Sequence, residues 1–253
     1  MAITFGPHTV NATLVGYRHD GLDWQFTNVT TGGTHIFSRP PNSPNATFPF
    51  NPSTFELRVS NWGYGIQIDK IHVAAGEKLL KVPNFGRTVE FIGDSLTSGM
   101  FTSYENMMGF GYLTGAGLGN TEFSITAYPG LCVSDQDCWG NPRGQSHQWF
   151  YASDGSWRSK EIWGGKTHER KSGSGRVLLT YFRGTDNPEA WDFSQHTAAD
   201  LVVINLGTND ANSHNNVSNV TYVESYKKLI AGVHGTWPQA QVIVMVSNRP
   251  LLA

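Results

Sequence analysis

The chain has 253 residues, 39% hydrophobic and 15% charged, enough for one large domain or two modest ones and too apolar for a disordered chain. A formal net charge of -2 creates no strong field, so no nucleic-acid partner is expected. No stretch is long and apolar enough to span a bilayer, and the opening MAITFGPHTV lacks the basic and apolar regions of a signal peptide.

Residues 1–86 carry short runs of alternating apolar residues, broken by Gly, Pro and Asn: NATLVGYR, GLDWQFTNV, GTHIFSRP, FELRVSNW and GIQIDKIHV. Their spacing predicts an antiparallel β-sandwich, jelly-roll-like, with PPNSPNATFPFNP as a loop between strands. Asn-x-Ser/Thr sequons at Asn11, Asn28, Asn45, Asn216 and Asn219 lean towards an exported glycoprotein. The two cysteines, Cys132 and Cys138, sit close together in CVSDQDC, and in an exported chain a local disulfide is expected. No second cysteine pair exists to complete a zinc site, and no metal or cofactor is expected.

The texture changes from Thr88. TVEFIG, EFSITAYPG, DLVVINLGTND and QVIVMVSN read as four buried strands of a parallel sheet. TYVESYKKLIAGVHGTW predicts a helix between the third and fourth, with Tyr222, Tyr226, Leu229, Ile230 and Val233 on one face. Residues 87–253 therefore predict a three-layer α/β/α domain, whose working groups belong at the carboxyl ends of the strands. Gly93-Asp94-Ser95, Pro129-Gly130 and Gly207-Thr208-Asn209-Asp210 all fall at such ends.

Those residue types suit acyl transfer. A serine hydroxyl needs a base to take its proton and donors to hold the oxyanion that develops. Ser95 at a helix start can offer its own N–H, Gly130 allows close approach of another, and Asn209 carries a side-chain N–H. The plainer alternative makes Gly93 and Gly130 turn glycines and Asn209 a helix cap, with Asp210 favouring the helix dipole.

GDSL at 93–96 and GTND at 207–210 resemble blocks I and III of the SGNH (GDSL) hydrolases, and Gly130 in AYPG is similar to the block II glycine. The order of the three also matches. The resemblance implies a flavodoxin-like esterase domain with Ser95 as nucleophile and Ser95 N–H, Gly130 N–H and Asn209 as the oxyanion hole. A β-rich domain ahead of the motif looks like the two-domain carbohydrate esterase family 2, whose members deacetylate plant polysaccharides. Residues 55–100 and 110–163 also resemble its secreted fungal members.

The family's base lies in an Asp-x-x-His pair after a fifth strand, and no such pair follows SNRPLLA here. Asp69-Lys70-Ile71-His72 precedes the nucleophile and reads as strand, where positions three apart point to opposite faces. His214 is expected in a solvated loop, and His147 reads as a surface or substrate contact. No catalytic His or Asp is thus identified. We expect a C-terminally incomplete hydrolase domain with one bare sheet edge. The basic segment GKTHERKSGSGRVLLTYFRGT, with Lys166, Arg170, Lys171, Arg176 and Arg183 against Glu169, reads as a translated intron, a solvated loop or a contact for acidic glycans.

Trp139, Trp149, Phe150, Tyr151, Trp157 and Trp163 crowd the stretch after the cysteines; most are expected in the core, one or two as a sugar platform. Trp24, Trp62 and Tyr64 are similar candidates in the first domain. The function expected is a secreted, monomeric serine esterase acting on acetylated polysaccharide or oligosaccharide, with weak turnover in this form. The alternative is a non-catalytic carbohydrate-binding protein on an esterase scaffold.

Overall fold

The computed structural model describes residues 1–39, 54–80, 85–152, 170–171, 177–178 and 190–245. Most of the basic segment, together with Asn45, Trp157 and Trp163, lies outside the described residues. The chain divides into two compact units, one of Met1–Asn84 with Tyr104–Met107, the other of Phe85–Ser103 with Met108–Ala253.

Unit 1 contains two three-stranded antiparallel sheets. Strands β1 (Ala2–Phe5), β4 (Thr34–Ile36) and β6 (Ile68–His72) lie in the order β4-β1-β6. Strands β2 (Thr13–His19), β3 (Gln25–Val29) and β5 (Phe55–Val59) lie in the order β3-β2-β5. The two-residue period sends alternate side chains inward, and Ile3, Phe5, Val15, Val29 and Phe37 from both sheets form one buried cluster. β1 is a strand the sequence reading did not anticipate. Only four residues long, it nevertheless holds the centre of its sheet, because Ile3 and Phe5 alternate with Ala2 and Thr4.

Unit 2 is built on a parallel sheet of β7 (Arg87–Gly93), β8 (Thr121–Ala127), β11 (Leu201–Asn205) and β12 (Gln241–Val244), in the order β12-β11-β7-β8. β9 (Arg170–Lys171) and β10 (Val177–Leu178) pair separately as a short antiparallel ladder. Helices cover both faces. On one side α2 (Phe110–Leu118) packs so closely that a Cβ added at Gly115 would stand 2.4 Å from the Phe123 ring. On the other, Tyr226, Leu229 and Val233 of α4 (Asn219–Thr236) pack with Ile92, Val202 and Ile204. α1 (Ser95–Ser98) and α3 (Gln145–Gln148) are single turns.

Register positions the site. Asn205 pairs with Gly93, and Gly93 with Ala127, so β11, β7 and β8 all end at one level. The residues that follow each strand emerge on a common rim, the usual ligand edge of an open α/β sheet.

Candidate active site

Ser95 is the first residue of α1. The preceding Asp94 caps that turn, its Oδ1 accepting from Leu96 N–H at 3.0 Å. Gly93 is required because a Cβ there would overlap the Thr97 side chain. Asp94 is fully buried while Ser95 is half-buried. Burial pushes the Asp94 carboxyl up to about 6, the Leu96 N–H opposing the rise and the charge of Asp210 adding to it.

Gly130 follows β8 with φ 83, a conformation that favours glycine, and an added Cβ would lie 2.9 Å from Asn141 Nδ2 and 3.1 Å from Trp139 Cβ. Among the described residues, neither the Ser95 nor the Gly130 N–H has a hydrogen-bond acceptor. Asn141 holds the turn beneath, donating to Cys138 O at 2.9 Å and Pro129 O at 3.3 Å. The Cys132–Cys138 disulfide closes the same loop.

Asn209 joins the two. Its Nδ2 donates to Leu131 O at 2.8 Å, beside Gly130, and stands 3.5 Å from Asp94 Oδ2, beside Ser95. One amide hydrogen is therefore committed and the other is only weakly engaged. The neighbouring Asp210 accepts from Val133 N–H at 2.8 Å and Ser134 N–H at 3.1 Å. Asn209 does not cap a helix: α4 begins ten residues later under Ser218. Asp210 serves the Gly130 loop rather than a helix dipole. That role was missed in the sequence, although the acid stands in the GTND motif.

Ring and hydrogen-bond contacts place His72, His147 and His214. His72 Nε2 is 2.8 Å from Thr4 Oγ1 on an edge strand of unit 1. His147 stacks on Tyr151 at 4.2 Å. His214 stacks on Trp139 at 4.5 Å and 19°. Among the described hydrogen bonds, none joins Ser95 Oγ to a histidine. Trp139 is 51% exposed and held at φ 55, next to Gly130, whereas Trp149 is buried and donates Nε1–H to Glu90 at 3.2 Å. Phe150 packs partly buried against the same core. In unit 1 the Arg18 guanidinium lies 4.6 Å over the Trp24 ring, and Tyr64 is exposed. Asn11, Asn28, Asn216 and Asn219 are exposed. No group of His, Cys, Asp or Glu among the described residues is arranged to hold a metal ion, and no helix among them is long and apolar enough to cross a membrane.

No family model and no curated protein sequence matches the chain. Solved structures do. A carbohydrate esterase family 2 enzyme with a carbohydrate-binding domain from Corynascus thermopiles (Myceliophthora fergusii) is 18% identical at a TM-score of 0.63, covering 96% of this chain and 68% of its own. A family two carbohydrate esterase from Clostridium thermocellum, in complex with cellohexaose, is 19% identical at 0.58, covering 96% of this chain and 66% of its own. The acetyl xylan esterase Est2A from the rumen bacterium Butyrivibrio proteoclasticus is 16% identical at 0.56, covering 96% and 68%. The chain spans about two thirds of the length of each. These likenesses show the fold: a parallel-sheet α/β unit preceded in sequence by an antiparallel β unit, a fold shared with these family 2 carbohydrate esterases.

Proposed function

We propose that the chain is a serine esterase that removes acetyl or other small acyl groups from plant cell-wall polysaccharide, with Ser95 as nucleophile. The observation that carries this reading is the Asn209 amide, which touches Leu131 O beside Gly130 and approaches Asp94 beside Ser95. Ser95 Oγ attacks the ester carbonyl carbon and gives its proton to a base. The carbonyl oxygen becomes an oxyanion held by Ser95 N–H, Gly130 N–H and Asn209 Nδ2. Collapse breaks the bond to the sugar oxygen, which takes the proton from the base. Water then releases the acyl group from Ser95.

The half-exposed Trp139, stacked on His214 beside Gly130, supports a sugar substrate through ring stacking. The disulfide and the exposed sequon asparagines support an exported, glycosylated protein. The division into a sandwich of residues 1–86 and a hydrolase domain of 87–253 is part of the same reading. We assign the base to a histidine, the side chain that most often takes a serine proton in acyl transfer.

A second reading, a carbohydrate-binding protein without catalysis, is favoured by the lack of any described hydrogen bond between Ser95 and a histidine. Hydrolysis of p-nitrophenyl acetate and acetylated xylan separates the two. The esterase reading expects hydrolysis that Ser95→Ala abolishes. Xylan binding with no cleavage supports the binder.

A further inference from the structure

Gly130 and Asn209 stand on different loops, one after β8 and one after β11. Loop backbone has no ladder of its own to fix it, so two groups on separate loops keep a constant spacing only where something ties loop to loop. The second loop reads NDANSHNN over 209–216, short polar side chains of the kind that bond to nearby backbone.

Asn212 Oδ1 accepts from His214 N–H at 3.0 Å and starts a single 3-10 turn, Ser213–Asn215. At the end of that turn Asn215 is 6% exposed, and its Nδ2 donates to Asn209 O at 2.9 Å. The Asn215 carbonyl accepts from Gln136 Nε2, on the Gly130 loop, at 2.7 Å. Asn209 Nδ2 in turn donates to Leu131 O at 2.8 Å, back on the loop that carries Gln136. These bonds close a circuit: Gln136 to Asn215, Asn215 to Asn209, Asn209 to Leu131, and along the chain to Gln136 again. Asp210 spans its middle, accepting from Val133 and Ser134 N–H.

One hydrogen bond contributes only about 1 kcal/mol net, too little to hold a carboxamide to one geometry, whereas linked bonds in a buried network reinforce one another. Asn209 is gripped at both ends, its carbonyl by Asn215 and its carboxamide by Leu131 O. Gln136 and Asn215 lie outside GDSL, AYPG and GTND. We propose that Gln136 and Asn215 are positioning residues for the Asn209 carboxamide: they close the circuit that sets its place relative to Gly130. The catalytic consequence rests on the esterase reading; the structural one does not.

Steady-state hydrolysis of p-nitrophenyl acetate by the full chain tests it, in the parent and in Gln136→Leu, Asn215→Ala and Gln136→Lys. The two sites lie on different loops, so one folded variant suffices. Gln136→Leu and Asn215→Ala are expected to lower kcat about 10-fold with KM unchanged, and Gln136→Lys, which keeps a donor, to stay within about 2-fold of the parent. In an Asn209→Ala background the first two substitutions cost less than about 2-fold, because the circuit is already open. Losses of equal size in both backgrounds overturn the proposal, as does a parent-like kcat in Gln136→Leu. Hydrogen exchange supplies a readout besides activity. The Val133 and Ser134 amides, which bond to Asp210 and to neither substituted side chain, exchange at least about 10-fold faster in Gln136→Leu and Asn215→Ala, with β7 unchanged. Parent-like exchange of these amides, or an equal rise in β7, overturns the positioning role. If the parent does not hydrolyse the ester while the exchange result holds, the esterase reading fails and the positioning role stands.

Discussion

The Asn209 side chain donates to the carbonyl of Leu131 at 2.8 Å, across 78 residues of sequence. That bond fixes the carboxamide at the rim, and the same nitrogen stands 3.5 Å from Asp94 Oδ2. Asn209→Ala removes the donor and, in the esterase reading, lowers kcat for p-nitrophenyl acetate about 100- to 1,000-fold with little change in KM. Steady-state kinetics on a variant with parent-like thermal stability checks it.

Asp94 is buried beside Asp210, and its carboxyl is raised to about 6 from 3.8. The folded state therefore binds this proton more tightly than the unfolded state. Its favourable contribution is complete below about pH 4 and is lost as pH rises through about 6, a change of up to about 3 kcal/mol. Asp94→Asn keeps a capping oxygen and removes the titration. Relative to the parent, it gains up to about 3 kcal/mol between pH 4 and pH 8, measured by urea unfolding at both pH values; parallel stability profiles contradict this.

Glu90 is buried inside β7, where it accepts from Ser124 Oγ, from Thr126 Oγ1 at 2.6 Å and from Trp149 Nε1 at 3.2 Å. Burial raises its pKa against those three donors. Glu90→Leu leaves the Trp149 N–H buried without an acceptor and costs about 2–4 kcal/mol, whereas Glu90→Gln, which can still accept from Trp149, costs less than about 1 kcal/mol. Denaturant midpoints of the two variants check the ranking.

Cys132 and Cys138 close a loop with a sequence separation of six, which also carries the Asp210-bound N–H groups of Val133 and Ser134. Replacing both cysteines by Ser costs about 2 kcal/mol from loop entropy and leaves the loop to the hydrogen bonds of Asn141, Asn209 and Asp210. Calorimetry with and without reductant reads the loss, and the double variant loses its sensitivity to reductant.

The parallel sheet was legible because its strands are nearly continuous apolar runs. The α4 helix was legible because Tyr226, Leu229 and Val233 repeat at helical spacing. GDSL and GTND marked two of the strand ends. The rest depends on partners distant in sequence. Nothing local in Asp210 announces Val133, and nothing in Tyr104 announces Phe26. β1 escaped notice because four residues carry too short an alternation, and its place is fixed by pairing with β4 and β6. Nothing local in Glu90 announces its three donors, which come from β8 and from the start of the loop after α3.

Mass spectrometry of the intact chain after treatment with a fluorophosphonate, followed by peptide mapping, tests the central claim most directly. The esterase reading predicts one adduct, on Ser95, lost in Ser95→Ala and formed at least about 10-fold more slowly in Asn209→Ala. An adduct on another residue, or a Ser95 rate indifferent to Asn209, contradicts it.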